Sequence, residues 1–154
     1  MNKLRISCEY IEHGWAELEF SNDIDSLLVV VSYVFDGLYG LLKAAYDLNI
    51  QVNETEISLF DEPCEYRVYL KKENNNLNLS IYYFEQISYI GDSKSKEDGI
   101  LKFTAFTNLK RFTNQIIDLF YNFLNEYGEE KYKEKWHQPF PMDLYEKLKS
   151  ERKY

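Results

Sequence analysis

The chain has little of several things, and each shortage excludes a kind of chemistry. Its 154 residues include two cysteines, two histidines and three prolines, and no apolar run approaches the length of a membrane span. Cys8 and Cys64 are too few for a disulfide framework, and each sits among strand or turn residues as a buried thiol does. Structural zinc takes four Cys, His or carboxylate ligands at short, characteristic spacings. His13, His137 and the two thiols offer no such spacing, so neither a metal nor a cofactor is expected. There is no Gly-rich phosphate cradle, no G-x-S-x-G elbow and no H-E-x-x-H helix. Residues 1–8 lack the charged-then-apolar pattern of a secretion signal, and the expectation is a cytoplasmic protein without membrane contact.

Positive charge is also scarce. Eighteen Lys and Arg face twenty-six Asp and Glu, a formal charge of −8. The imbalance lies in one half: residues 1–65 hold thirteen carboxylates against Lys3, Arg5 and Lys43, a local −10, and the remainder carries +2. Sequence-independent phosphate binding needs clustered cations to release counterions, so no nucleic-acid partner is expected. The most basic stretch, Lys131, Lys133 and Lys135, is interleaved with Glu129, Glu130 and Glu134 and reads as a solvated helix face. So lopsided a field points towards a basic protein partner or towards nothing specific.

Apolar and aromatic residues are plentiful, at 45% and 17%, enough for a real core in a single domain spanning 1–154. Leu4, Ile6, Cys8 and Tyr10 alternate, as do Ala16, Leu18 and Phe20, which predicts two strands joined at Glu12-His13-Gly14. Ser21-Asn22-Asp23 supplies capping side chains for a long helix over 24–48, with Leu27, Leu28, Val31, Val34, Phe35, Leu38, Leu41, Leu42 and Ala45 as its inward stripe. Gly37 and Gly40 within it imply a bend or the close approach of another backbone. Four strands follow, over 54–60, 66–72, 77–85 and 100–107, with Glu73-Asn74-Asn75-Asn76 turning the middle pair. Residues 88–99 read as a polar, mobile loop. Thr107 or Asn108 can cap a second helix that ends at Gly128. Trp136-His137-Gln138-Pro139-Phe140 then pins a short tail helix over 142–149. The fold class is α+β: one antiparallel sheet of about six strands, with two long helices and a short C-terminal helix mainly on one face.

Three local constellations offer chemistry. Asp61-Glu62-Pro63-Cys64-Glu65-Tyr66-Arg67 crowds three carboxylates at a proline turn, with Arg67 in reach of Glu65 across one strand face. It reads as a solvated acidic turn, as a recognition patch, or as paired acids. Glu12-His13-Gly14-Trp15 places an acid beside a histidine at a hairpin tip, or simply packs Trp15 on the sheet. Asp36 is either an exposed or capped carboxylate or a buried functional acid. Tyr69, Tyr82 and Phe84 fall on the sheet face opposite Leu70, Leu79 and Ile81, where they form an aromatic surface or lie beneath a later segment.

Tyr10-Ile11-Glu12-His13-Gly14-Trp15, then Ser32-Tyr33 with Asp36, then Asp61 to Arg67 resemble, over the first half of the chain, a group of small bacterial α+β proteins. Some of these resemble the immunity proteins of toxin–immunity loci. The resemblance implies a protein-binding role and brings no catalytic pattern with it.

The leading expectation is therefore a non-enzymatic module that presents an acidic surface to a basic partner such as a toxin domain. Glu12, Glu54, Glu56, Asp61, Glu62 and Glu65 form that surface, with Trp15, Tyr69 and Tyr82 as anchors. The alternative is a small enzyme or ligand-binding domain with Glu12, His13, Asp36, Glu65 and Arg67 around a pocket between sheet and helix. A homo-oligomer that buries the aromatic sheet face is the third reading.

Overall fold

The first hairpin forms as the alternation requires. In the computed structural model, which describes residues 3–86 and 96–152, β1 (Arg5–Glu12) and β2 (Trp15–Ser21) pair antiparallel, with Ile6, Leu18 and Phe20 buried. His13 and Gly14 turn the chain at φ 55° and 78°, the positive-φ pair whose twist suits a two-residue hairpin. A bulge between Cys8 and Ile11 moves the inward register on by one, so Ile11 is buried and Tyr10 faces out.

The next segment departs from the expected helix. Residues 24–48 divide into β3 (Ser26–Ser32), which pairs with β2, and α1 (Gly37–Ile50). Val29-Val30-Val31 explains the break, because β-branched side chains lose rotamer freedom in a helix and pack well on a pleated surface. A dense apolar run satisfies periods of 2 and 3.6 alike, and here period two wins, with Val29 and Val31 buried. Phe35, expected inward, is half exposed at the turn, with φ 63°.

The expected single sheet also divides. β4 (Glu54–Asp61), β5 (Cys64–Glu73), β6 (Asn76–Phe84) and β7 (Ile100–Asn108) form a four-stranded antiparallel meander, distinct from the three-stranded sheet β1–β2–β3. Side chains tie the two together. Near the start of β3, the Asn22 side-chain amide donates to the Thr104 carbonyl on β7 at 2.8 Å. At its end, the Ser32 hydroxyl donates to Glu62 at 3.0 Å, just beyond β4. Phe20 and Phe103 meet between the sheets with ring centroids 6.5 Å apart.

Three more helices follow β7: α2 (Leu109–Glu126), α3 (Gly128–Trp136) and α4 (Met142–Glu151). Asn108 caps α2 by accepting from the Arg111 N–H at 2.7 Å. Gly128 follows the end of α2 as expected, but the charged stretch after it is a helix in its own right, held by buried Tyr132 and Trp136. Phe140 packs against Phe120, Tyr132 and Tyr145 at 5.2–5.8 Å, which pins the tail as its aromatics and prolines imply. One core cluster draws on both sheets and on all of these helices. Residues 88–95 of the expected loop lie outside the described residues, and 96–98 form a single 3-10 turn. Among the described residues, no helix is long and apolar enough to cross a membrane.

α1 lies close on β4. A Cβ on Gly37 would come within 2.7 Å of Leu59 Cδ2, and one on Gly40 within 2.9 Å of Ile57 Cγ2. Gly37→Ala should therefore destabilise the protein by about 1–3 kcal/mol in urea unfolding through overpacking. An open helix position would instead gain up to about 1 kcal/mol from the same change.

Candidate partner-binding surface

Because Val68 and Leu70 face the core, alternation turns Glu65, Arg67, Tyr69 and Lys71 to the opposite face of the four-stranded sheet. Register adds their neighbours. Phe60, Glu65 and Phe84 form one row, Ser58, Arg67 and Tyr82 the next, Glu56, Tyr69 and Ser80 a third, and Glu54, Lys71 and Asn78 the last. The first row is buried, and in the second Arg67 is buried between partly exposed Ser58 and Tyr82. Glu65 is 0% and Arg67 3% exposed, flanked in register by the buried rings of Phe60 and Phe84. Arg67 donates through Nη2 to Glu65 at 3.1 Å and through Nη1 to Glu56 at 3.3 Å. Glu65, expected as a surface acid, is thus the interior partner of Arg67, whereas Glu56 and Glu54 remain exposed.

Below the ion pair, Tyr69 and Tyr82 meet edge to face, with centroids 5.6 Å apart and planes at 88°. Burial pushes the Tyr69 phenol above its ordinary range, and the Arg67 charge opposes it. The ammonium of Lys96 sits 4.6 Å from the Tyr69 ring centroid and 5.8 Å from that of Tyr82. An open groove of about 390 Å³ runs past Glu54, Glu56, Tyr69 and Lys96.

At the other end of the strip lies the acidic turn. Asp61 opposes Cys64 in register, the Glu62–Pro63 peptide is cis, and Cys64 Sγ lies 3.0 Å from the Tyr83 hydroxyl. Burial first, and then the neighbouring Glu62 charge, hold the Asp61 carboxyl above its usual range. Glu62 anchors the turn to Ser32, and Trp15 pairs with Ser32 in register. The half-exposed ring of Phe35 rests 4.9 Å from Phe60. One run of contacts joins Trp15, Ser32 and Glu62, and a second joins Phe35, Phe60, Glu65, Arg67 and Glu56, with Tyr69 and Tyr82 beside it.

The residues of the alternative pocket separate into two sets with different partners. Glu65 and Arg67 hold each other. Glu12 pairs with Lys135 at 2.7 Å, and that hydrogen bond lowers its pKa, the reverse of what a general acid needs. Asp36 serves as the cap of α1: Oδ1 accepts from the Tyr39 N–H at 3.1 Å and from Trp136 Nε1 at 2.8 Å. Burial raises the Asp36 carboxyl, while these two donors oppose the rise. His13 sits at the hairpin tip beside Gly14. The Gly14 N–H donates to the Lys135 carbonyl at 2.7 Å and its carbonyl accepts from the Tyr33 N–H at 2.8 Å, while the Tyr33 and His137 rings stack edge to face. A Cβ on Gly14 would fall 2.5 Å from Tyr33 Cδ1 and 2.9 Å from His137 Nδ1, so glycine is required there for space as well as for φ.

Comparison with protein families, with curated proteins and with solved structures yields no match.

Two consequences can be measured by urea unfolding. Arg67→Met leaves Glu65 charged in the interior and should cost about 3–5 kcal/mol, with part of the loss recovered by adding Glu65→Gln. Asp36→Ala should cost about 2–4 kcal/mol, by removing the cap and leaving the Trp136 N–H without its acceptor. Asp36→Asn keeps an acceptor. Because folding raises the Asp36 pKa, wild type should lose stability relative to Asp36→Asn as pH rises from the acid range through the folded pKa.

Proposed function

We propose that this chain is a non-enzymatic protein-binding module that takes a basic partner along the strip from the Asp61–Glu62 turn to Glu54. The observation that carries this reading is the acidic turn itself. Asp61 is partly desolvated beside a like charge, and a cation brought from outside offsets the cost of both by favouring the ionised carboxylate. Phe35 supplies the apolar anchor. It is half exposed and rests on Phe60, and it is fixed by a positive φ that a bulky side chain seldom adopts. Trp15 extends the surface at one end, and Glu54, Glu56, Tyr69 and Tyr82 extend it at the other. A basic toxin domain, the partner class implied by the resemblance in the N-terminal half, suits this surface.

The test compares variants on one captured partner. The basic protein that wild type retains at low salt should bind at least about tenfold more weakly to Asp61→Asn/Glu62→Gln and to Phe35→Ala, at unchanged melting temperature. Equal retention by all three proteins would remove the strip as the binding surface.

A further inference from the structure

The geometry points to a second, chemically narrower site on the same sheet face. We propose that Tyr69, Tyr82 and Glu56 form a recognition pocket for an alkylammonium group, and that Lys96 occupies this pocket as an internal stand-in. Two tyrosine rings at 88° make a corner that presents π-density from two directions, the arrangement with which aromatic cages hold ammonium groups. The Lys96 ammonium lies within 6 Å of both centroids, the range over which the ring quadrupole attracts a cation. Glu56 lines the same groove and keeps half of its side chain in solvent, so it can place a carboxylate against the incoming charge. The Arg67 guanidinium acts on the Tyr69 phenol from the interior side. It is buried against Glu65, and the groove beside the tyrosines opens to water.

Lys96 itself is exposed, and its seat on the rings is that of a tethered ligand. A tethered group competes at an effective concentration in the millimolar range. A free amine should therefore bind wild type weakly, and removal of the lysine side chain should uncover the site. The inference rests on the strip as a surface for basic partners, but its readout needs no partner. Amine binding can fail while capture at Asp61 and Glu62 holds, and capture can fail while amine binding holds.

The experiment titrates n-butylammonium, with n-butanol as the neutral control, into wild type, Lys96→Ala, Lys96→Ala/Tyr82→Leu and Lys96→Ala/Tyr82→Phe, and follows tyrosine ring resonances by NMR. Lys96→Ala should bind n-butylammonium at least about tenfold more tightly than wild type does. Adding Tyr82→Leu should abolish the gain, whereas Tyr82→Phe, which keeps a ring and guards against a mere loss of fold, should retain most of it. n-Butanol should bind none of them. Two further titrations, with Nα-acetyl-lysinamide and with tetramethylammonium, assign the source. Tighter binding of the first marks a protein side chain, and tighter binding of the second marks a free quaternary amine. The proposal is overturned if Lys96→Ala binds n-butylammonium no better than wild type, if n-butanol binds equally well, or if the Tyr82→Leu protein keeps the gain.

Discussion

The Asp36 carboxylate joins three parts of the chain at one point. It accepts from the Tyr39 N–H, which starts α1, and from Trp136 Nε1, which fastens the end of α3. By fixing the 33–36 turn it also ends β3 and sets Phe35 outward on Phe60. Around it the hairpin tip is clamped by backbone bonds from Gly14 to Lys135 and from Tyr33 to Gly14. His13, Gly14, Phe35, Asp36 and His137 all take positive φ at this joint. Four of them are not glycine, and such conformations persist only where the surroundings over-determine them, as the hydrogen bonds of this joint do. The candidate surface depends on the joint, because Phe35 and Trp15 reach the acidic turn only while β3 ends where it does.

The charges of the acidic half are unequal once folded. Glu65 is committed to Arg67, Glu12 to Lys135, and Glu56 shares Arg67 from the solvent side. The −10 of residues 1–65 therefore overstates what this face offers a partner. The acids that remain for one are Asp61, Glu62, the solvent side of Glu56, and Glu54, which lies 4.0 Å from Lys71, beside the aromatic floor of Tyr69 and Tyr82. Like charges kept adjacent at Asp61 and Glu62 do little for stability, and in the proposed reading they attract and select what docks there.

Much of this was legible in the sequence, and the rest was not, for physical reasons. The hairpin of β5 and β6, the tight turn at Gly14 and the Glu65–Arg67 pair follow from alternation, turn chemistry and two-residue spacing, all local rules. The close approach at Gly37 and Gly40 follows from the cost of glycine in a helix. The strand at Ser26–Ser32 was hidden because an unbroken apolar run fits two periods, and only the density of valine favoured the shorter one. Glu65 stands on the outward face by alternation, and no local rule signals its burial there beside Phe60 and Phe84. Phe35 falls on the apolar stripe of the sequence and reads as core, because nothing local signals a positive φ at phenylalanine. Lys96 meets Tyr69 and Tyr82 across many residues of intervening chain, and no spacing rule spans that distance.

The most direct test of the central claim is amide-resolved NMR mapping of a lysine-rich peptide titrated into the full chain at low and high salt. The account predicts salt-sensitive shifts concentrated at residues 33–36, 54–62, 69 and 82. Shifts confined to the outer face of the three-stranded sheet, around Glu17 and Glu19, or scattered evenly over the acidic half, would contradict it.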